Sequence, residues 1–204
     1  MKNYIKNLKL LTKNHVYSKE MEHDACGVGA IVSTEGKKSR IIVEYGIEAL
    51  KAVWHRGAVD ADGKTGDGAG IHLEIPKDFF IEKIEVTGHD YDNSEICVGM
   101  IFLPRNDYSA QESCKTIVES ELTKNNFSIY GWRQVPVNPK ILGQKAIQTM
   151  PEIMQVLFKS NDKNLLDKNL ERKIYETRKK IENKAFQLSL NNFYICSISS
   201  KSII

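Results

Sequence analysis

The chain is short of the residues that mark secreted, membrane or metal-clustered proteins. It has four cysteines, Cys26, Cys97, Cys114 and Cys196, spaced too widely for a zinc ribbon or a Cys-x-x-Cys redox pair. Reduced thiols in a cytoplasmic protein are the expectation, with no metal site. No stretch approaches the roughly 20 consecutive apolar residues that a membrane helix requires. The one apolar cluster near the start, between Leu8 and Leu11, is broken by Lys9, which excludes a spanning helix there and argues against a secretory signal. An excess of one charge is also missing. The formal net charge is +3, and the basic clusters Lys37-Lys38 and Arg178-Lys179-Lys180 are short, with Glu35, Glu176 and Glu182 beside them. A nucleic-acid partner is therefore not expected, because phosphate neutralisation needs a basic stripe. Internal repeats and low-complexity tracts are absent as well.

What is present suits one globular domain or a large piece of one: 204 residues, 41% hydrophobic and 27% charged. Residues 1–25 are polar and lysine-rich without a sustained period, and are expected to be a leader that is removed, leaving 26–204 as the folded unit. Residues 27–32 (GVGAIV) suit a buried strand, and Ser33-Thr34-Glu35-Gly36 a turn. From Arg40 on, Val43, Ile47, Leu50 and Trp54 recur at helical spacing, predicting a helix that stops before Gly57. Strand character follows at 71–75 and 95–103, and Pro104-Arg105-Asn106-Asp107 breaks the second run. Ser109 and Glu112 have the spacing of a capping box, and Cys114, Ile117, Val118 and Leu122 make one apolar helix face. Residues 127–137 read as a strand, and Pro136, Pro139 and Pro151 mark an irregular connection. A second long helix carries Leu170, Ile174, Arg178, Ile181, Ala185 and Leu188 in register, and 193–199 alternates as a strand. This order lacks a βαβ rhythm and predicts an α+β fold. Ser202-Ile203-Ile204, with no capping or turn residue, reads as a cut inside a fold.

Residues 57–70 (GAVDADGKTGDGAG) form a loop whose glycines allow backbone conformations that a side chain would forbid. Such a loop usually approaches something closely. Two readings of it fail on spacing. Gly63-Lys64-Thr65 suggests a phosphate loop, but Gly57 stands one residue too far upstream and a helix precedes the loop. Asp60-Ala61-Asp62-Gly63 begins like a calcium loop, but Lys64, Thr65 and Ile71 occupy the places of a ligand, a glycine and the bidentate glutamate. Cys97, Cys114 and Cys196 lie within apolar strand or helix faces, the ordinary setting of a buried structural thiol. Cys26 differs, because it is followed by Gly27 and Gly29 and stands just after the expected leader. As a first residue it would carry a free α-amine of pKa about 7.7–8.0, able to act as a base for its own thiol. Spacing alone leaves this reading open beside a buried structural cysteine.

The segments Cys26-Gly27-Val28-Gly29 and His55-Arg56-Gly57 are followed by Asp60-Ala61-Asp62-Gly63-Lys64-Thr65-Gly66-Asp67-Gly68-Ala69-Gly70. Together they resemble the start of the class II glutamine amidotransferase domain found in glutamate synthase large chains. The resemblance continues through Gly131-Trp132-Arg133-Gln134-Val135-Pro136-Val137, Glu171-Arg172-Lys173 and Phe193-Tyr194-Ile195-Cys196-Ser197, and so covers nearly all of the chain from about residue 20.

The resemblance implies a partial four-layer αββα sandwich of the N-terminal-nucleophile hydrolases, with the leader cleaved and Cys26 as nucleophile toward L-glutamine. Arg56 and Gly57 would lie beside it and shape the substrate pocket. His55 has the alternative of a packed helix-end residue, and Asp60, Asp62 and Asp67 that of hydrogen-bond formers inside the loop. Cofactors are expected only in the full-length parent, as FMN and an iron–sulfur cluster fed by NAD(P)H or ferredoxin. The remaining domains of that large chain are the expected partners, and a small subunit is admitted as a further one. The family's arginine clamp and Asn-Gly oxyanion pair have no counterpart here, so the isolated chain is expected to be inactive. Alternatives are another class II amidotransferase, which the extended glycine–aspartate loop argues against, a fragment without chemistry, and a papain-like hydrolase. For the last, His15, His23, His55, His72 and His89 offer no recognisable partner setting.

Overall fold

A computed structural model describes residues 27–54 and 57–204, together with Lys6, Lys9, Leu10 and Lys13. Helix α1 (Arg40–Ala52) opens on Ser39, whose hydroxyl accepts from the Ile41 amide. Strand β1 (Leu73–Glu74), helix α2 (Lys77–Val86), strand β2 (Cys97–Leu103), helix α3 (Tyr108–Lys124) and strand β3 (Phe127–Gln134) follow. A 3-10 turn (Pro139–Ile141) and the short helix α4 (Gln144–Thr149) lead into β4 (Glu152–Ser160), α5 (Asp167–Gln187), β5 (Tyr194–Ser199) and β6 (Ser202–Ile203).

The main sheet runs β3-β4-β2-β5, with all three pairings antiparallel. Because side chains alternate across a strand, β2 feeds two cores. Cys97, Ile101 and Leu103 face α3 and α5, where they pack with Cys114, Val118, Leu122, Phe158, Leu170, Ile174 and Ile181. Val98 and Met100 face the opposite side, with Leu157, Phe80 and Ile84 of α2, Ile75 and Ile203. On that second side, β1 pairs antiparallel with β6, Leu73 opposite Ile203. The layers are thus a helix pair, a four-stranded antiparallel sheet, and a second core closed by α2 and a two-stranded sheet. This is an α+β fold of the class expected.

The two helices over the sheet are fastened at their polar rims. Glu121 of α3, 5% exposed, pairs with Lys184 of α5 and, at 3.6 Å, with Lys124. Arg178 stands in the register predicted for the inner face of α5. Its guanidinium donates to the Ile195 carbonyl at 2.8 Å and to Glu182 at 2.6 Å, joining the helix to β5. Glu171, in the first turns of α5, holds the β5–β6 turn. Its Oε1 accepts from both the amide and the hydroxyl of Ser200 at 2.7 Å, and its Oε2 from the Ser199 hydroxyl at 2.9 Å.

Several expectations need correction. Residues 27–32 form no strand and are not buried: Val28 is 89% and Val32 82% exposed. An extended run becomes a strand only with a ladder partner, and none of the described strands pairs with it. The capping box at Ser109 and Glu112 is not formed. Helix α3 starts at Tyr108 on Asp107, whose carboxylate accepts from the Ala110 amide at 2.9 Å, while Glu112 pairs with Lys115. Aspartate caps as well as serine does, and it comes first after the Pro104 break. Leu188 caps the end of α5 and is 62% exposed instead of continuing the buried face. The connection predicted as irregular after Pro151 is β4, a central strand. Helix α2 was likewise not anticipated.

Candidate functional site

Cys26, His55 and Arg56 lie outside the described residues; Gly57 and the loop behind it lie within them. Helix α1 ends at Val53, whose amide returns to the Ala49 carbonyl, and Gly57 then folds back with its amide on the Trp54 carbonyl at 3.0 Å.

From there the loop is a narrow, self-bonded ribbon. The Ala58 amide donates to Asp67 Oδ2 at 2.7 Å, Val59 and Gly66 form an antiparallel bridge, and the Asp60 amide donates to the Thr65 carbonyl at 2.8 Å. At the tip the Gly63 amide reaches the Asp60 carbonyl at 2.9 Å, with Gly63 at φ +68°, in the left-handed region that glycine supplies without strain. The Asp62 carboxylate fills the inside of this tip. Its Oδ1 accepts from the amides of Lys64 at 2.9 Å and Thr65 at 2.7 Å, and its Oδ2 accepts the Thr65 hydroxyl at 2.6 Å. These donors, the Thr65 hydroxyl foremost, hold the Asp62 carboxyl well below the usual carboxylate range.

The loop is docked against the segment between β3 and β4. Lys145 of α4 donates to Asp60 Oδ2, and the Gln144 amide donates to Asp62. Gly143, buried at the start of α4, lies directly on the tip. A β-carbon there would sit 2.6 Å from the Thr65 amide nitrogen, and closer still to Thr65 Oγ1 and Asp62 Oδ2. On its far side the loop runs into β1, where His72 Nε2 lies 2.7 Å from Ser202 Oγ of β6.

This geometry decides what the loop's acids can do. Asp60, Asp62 and Asp67 spend their oxygens on loop amides, the Thr65 hydroxyl and Lys145, the loop-internal role that aspartate takes in turns. They are fasteners, not free acids, bases or ligands. The run Asp60-Ala61-Asp62-Gly63-Lys64-Thr65, rich in turn residues, carried that signal in the sequence. Gly143 and Lys145 carried none, because their role comes from contacts with residues far away in the chain, 85 residues for Lys145 and Asp60.

The remaining cysteines are structural. Cys97 and Cys114 are fully buried, and burial pushes both thiols up, that of Cys114 to about 11. Cys196, half-buried on β5, is raised by the same cause. Thiols held protonated in separate apolar settings do not fit the thiolate set of an iron–sulfur cluster. Among the described residues no helix is long and apolar enough to cross a membrane.

Comparison with known proteins places this architecture. Residues 26–204 match the family model of class II glutamine amidotransferases. The chain is 52% identical over 198 residues to the NADPH glutamate synthase large chain of Azospirillum brasilense, covering 97% of this chain and 13% of that protein. It is 37% identical over 203 residues to the ferredoxin-dependent glutamate synthase of Pyropia yezoensis, covering 96% of this chain and 13% of that one. A chloroplastic/mitochondrial ferredoxin-dependent glutamate synthase of Arabidopsis thaliana is 38% identical over 185 residues, covering 90% and 11%. The chain thus spans 13% or less of the length of these relatives. With the family model matched from Cys26 to the last residue, the chain belongs to the class II glutamine amidotransferase family.

Proposed function

We propose that Cys26, once residues 1–25 are removed, is the nucleophile of a glutaminase that converts L-glutamine to glutamate and ammonia. In the parent protein the ammonia serves the amination of 2-oxoglutarate by glutamate synthase. The observation that carries this reading is where the family match begins: its first residue is Cys26, the position at which a free α-amine is needed.

The chemistry balances with that amine as the base. It takes the thiol proton, and sulfur attacks the side-chain amide carbon of glutamine. Collapse of the tetrahedral intermediate breaks the C–N bond, the protonated amine returns the proton to the leaving nitrogen, and ammonia departs from a γ-glutamyl thioester. Water, deprotonated by the same amine, then releases glutamate and restores the thiol. Arg56 and Gly57 shape the pocket beside this centre, with the fastened loop behind them.

FMN, the iron–sulfur cluster, the electron donor and any small subunit belong to the parent protein beyond these residues, and no step of the glutaminase passes through them. The cytosol is the proposed compartment, in keeping with the separate reduced cysteines. The 204 residues alone hold neither an Asn-Gly pair nor an Arg-Phe-Ser-Thr segment. Loss of one oxyanion donor costs about 10²–10³ in rate, so the isolated chain is expected to release ammonia at a negligible rate. Intact mass and N-terminal sequencing of the full-length protein, paired with ammonia release from glutamine, test the reading. A mature N-terminus at Cys26 and activity abolished by Cys26→Ala are expected. A retained Met1 in active protein, or activity that survives the substitution, overturns it.

A further inference from the structure

We propose that Gly143 and Lys145 are positioning residues of the glutamine pocket, which they set by clamping the 57–70 loop to the β3–β4 connection. The proposal rests on the glutaminase reading above and adds to it the part that fixes the loop in space.

The loop's own bonds define its shape but not its place. The Asp62 bonds to Lys64 and Thr65, the Asp67 bond and the Val59–Gly66 bridge close within the loop, which is exposed along most of its length. Its place is set where it meets segment 139–149. The buried Gly143 packs on the tip so closely that a β-carbon would overlap Asp62 Oδ2, Thr65 Oγ1 and, at 2.6 Å, the Thr65 backbone nitrogen. A backbone atom cannot rotate aside as a side chain can. An added methyl must therefore lift the tip or break the Asp62–Thr65 bonds. Two residues further on, Lys145 pairs with Asp60 on the incoming limb of the ribbon. These contacts fix the tip on two sides against a segment that is itself held at both ends by paired strands, β3 and β4. Because the loop starts at Gly57, next to Arg56, any displacement passes to the residues proposed to shape the pocket. Misplacing a positioning element by about 1 Å costs on the order of 10²-fold in rate.

The test uses the full-length protein with Gly143→Ala and, as a variant without steric overlap, Lys145→Met. Two readouts are taken: steady-state glutaminase kinetics, and the rate of Cys26 alkylation by iodoacetamide with and without glutamine. For Gly143→Ala, kcat/KM should fall about 100-fold, mainly through KM. Alkylation without glutamine should stay within about twofold, while the glutamine concentration that protects Cys26 rises in step with KM. Lys145→Met should raise KM about two- to fivefold, the range an exposed ion pair allows. A KM and a protecting glutamine concentration unchanged in both variants would overturn the clamp while leaving the glutaminase standing. If the unsubstituted protein hydrolyses no glutamine, the glutaminase reading itself falls, and the clamp with it.

Discussion

Glu171 and Ser200 form a closed pair: one carboxylate oxygen accepts both the backbone amide and the hydroxyl of a serine that is 1% exposed. This explains a motif that the sequence offered only as a resemblance. Among the described residues, the contacts of this motif, Glu171-Arg172-Lys173, are structural ones. Its glutamate holds the β5–β6 turn, and through β6 the two-stranded sheet that β1 enters directly from the 57–70 loop.

Glu171→Ala should accordingly destabilise the fold by about 1–3 kcal/mol, since it strands a buried amide and hydroxyl without their acceptor. Urea unfolding followed by circular dichroism measures this. A change below about 0.5 kcal/mol would mean that water or a neighbour replaces the carboxylate.

Glu121 gives a pH dependence whose sign can be worked out. Lys184 foremost, with Lys124, lowers its folded-state pKa, so the unfolded chain takes up the proton first as pH falls. Its contribution is complete above the unfolded value of about 4.3 and is lost as pH drops through the lower folded value. The stability gap between the unsubstituted protein and Glu121→Gln should be constant near neutrality and should close below about pH 4. Chemical denaturation of both proteins from pH 7 to 3 checks this, and a gap that stays constant over the whole range refutes it.

Legibility in the sequence followed the kind of burial. The α3 face of Cys114, Ile117, Val118 and Leu122 was readable because one side of a helix is buried and the period survives. Strand β4 was not, because Val156, Leu157 and Phe158 are all buried on alternating faces, and a strand covered on both sides has no alternation to detect. In α2, buried Phe80 and Ile84 are interleaved with exposed Phe79 and Val86, which blurs the stripe. The aspartate loop was legible as a loop of fasteners, whereas its anchor at Gly143 depends on a distant contact that no local pattern encodes.

The cysteines should sort by reactivity. At pH 8 a thiol with a pKa of about 11 is only about one part in a thousand thiolate, so Cys114 should alkylate slowly in the folded protein, and the buried Cys97 more slowly still. Under the proposed mechanism Cys26 should react first. Timed iodoacetamide labelling with peptide mass spectrometry orders them, and labelling of Cys97 or Cys114 ahead of Cys26 would contradict both assignments.

The strand order also has a consequence in time. Strand β2 at Cys97–Leu103 receives its outer neighbour only from Tyr194–Ser199, so during synthesis that edge waits unpaired while the intervening chain is made. At about 5–20 residues per second the delay is on the order of ten seconds. Through that interval Val98, Ile101 and Phe102 present an apolar, unpaired edge to the cell, the kind of surface that aggregates or recruits chaperones. The slow hazard in making this protein thus lies in the nascent chain, before its outer strand has been made.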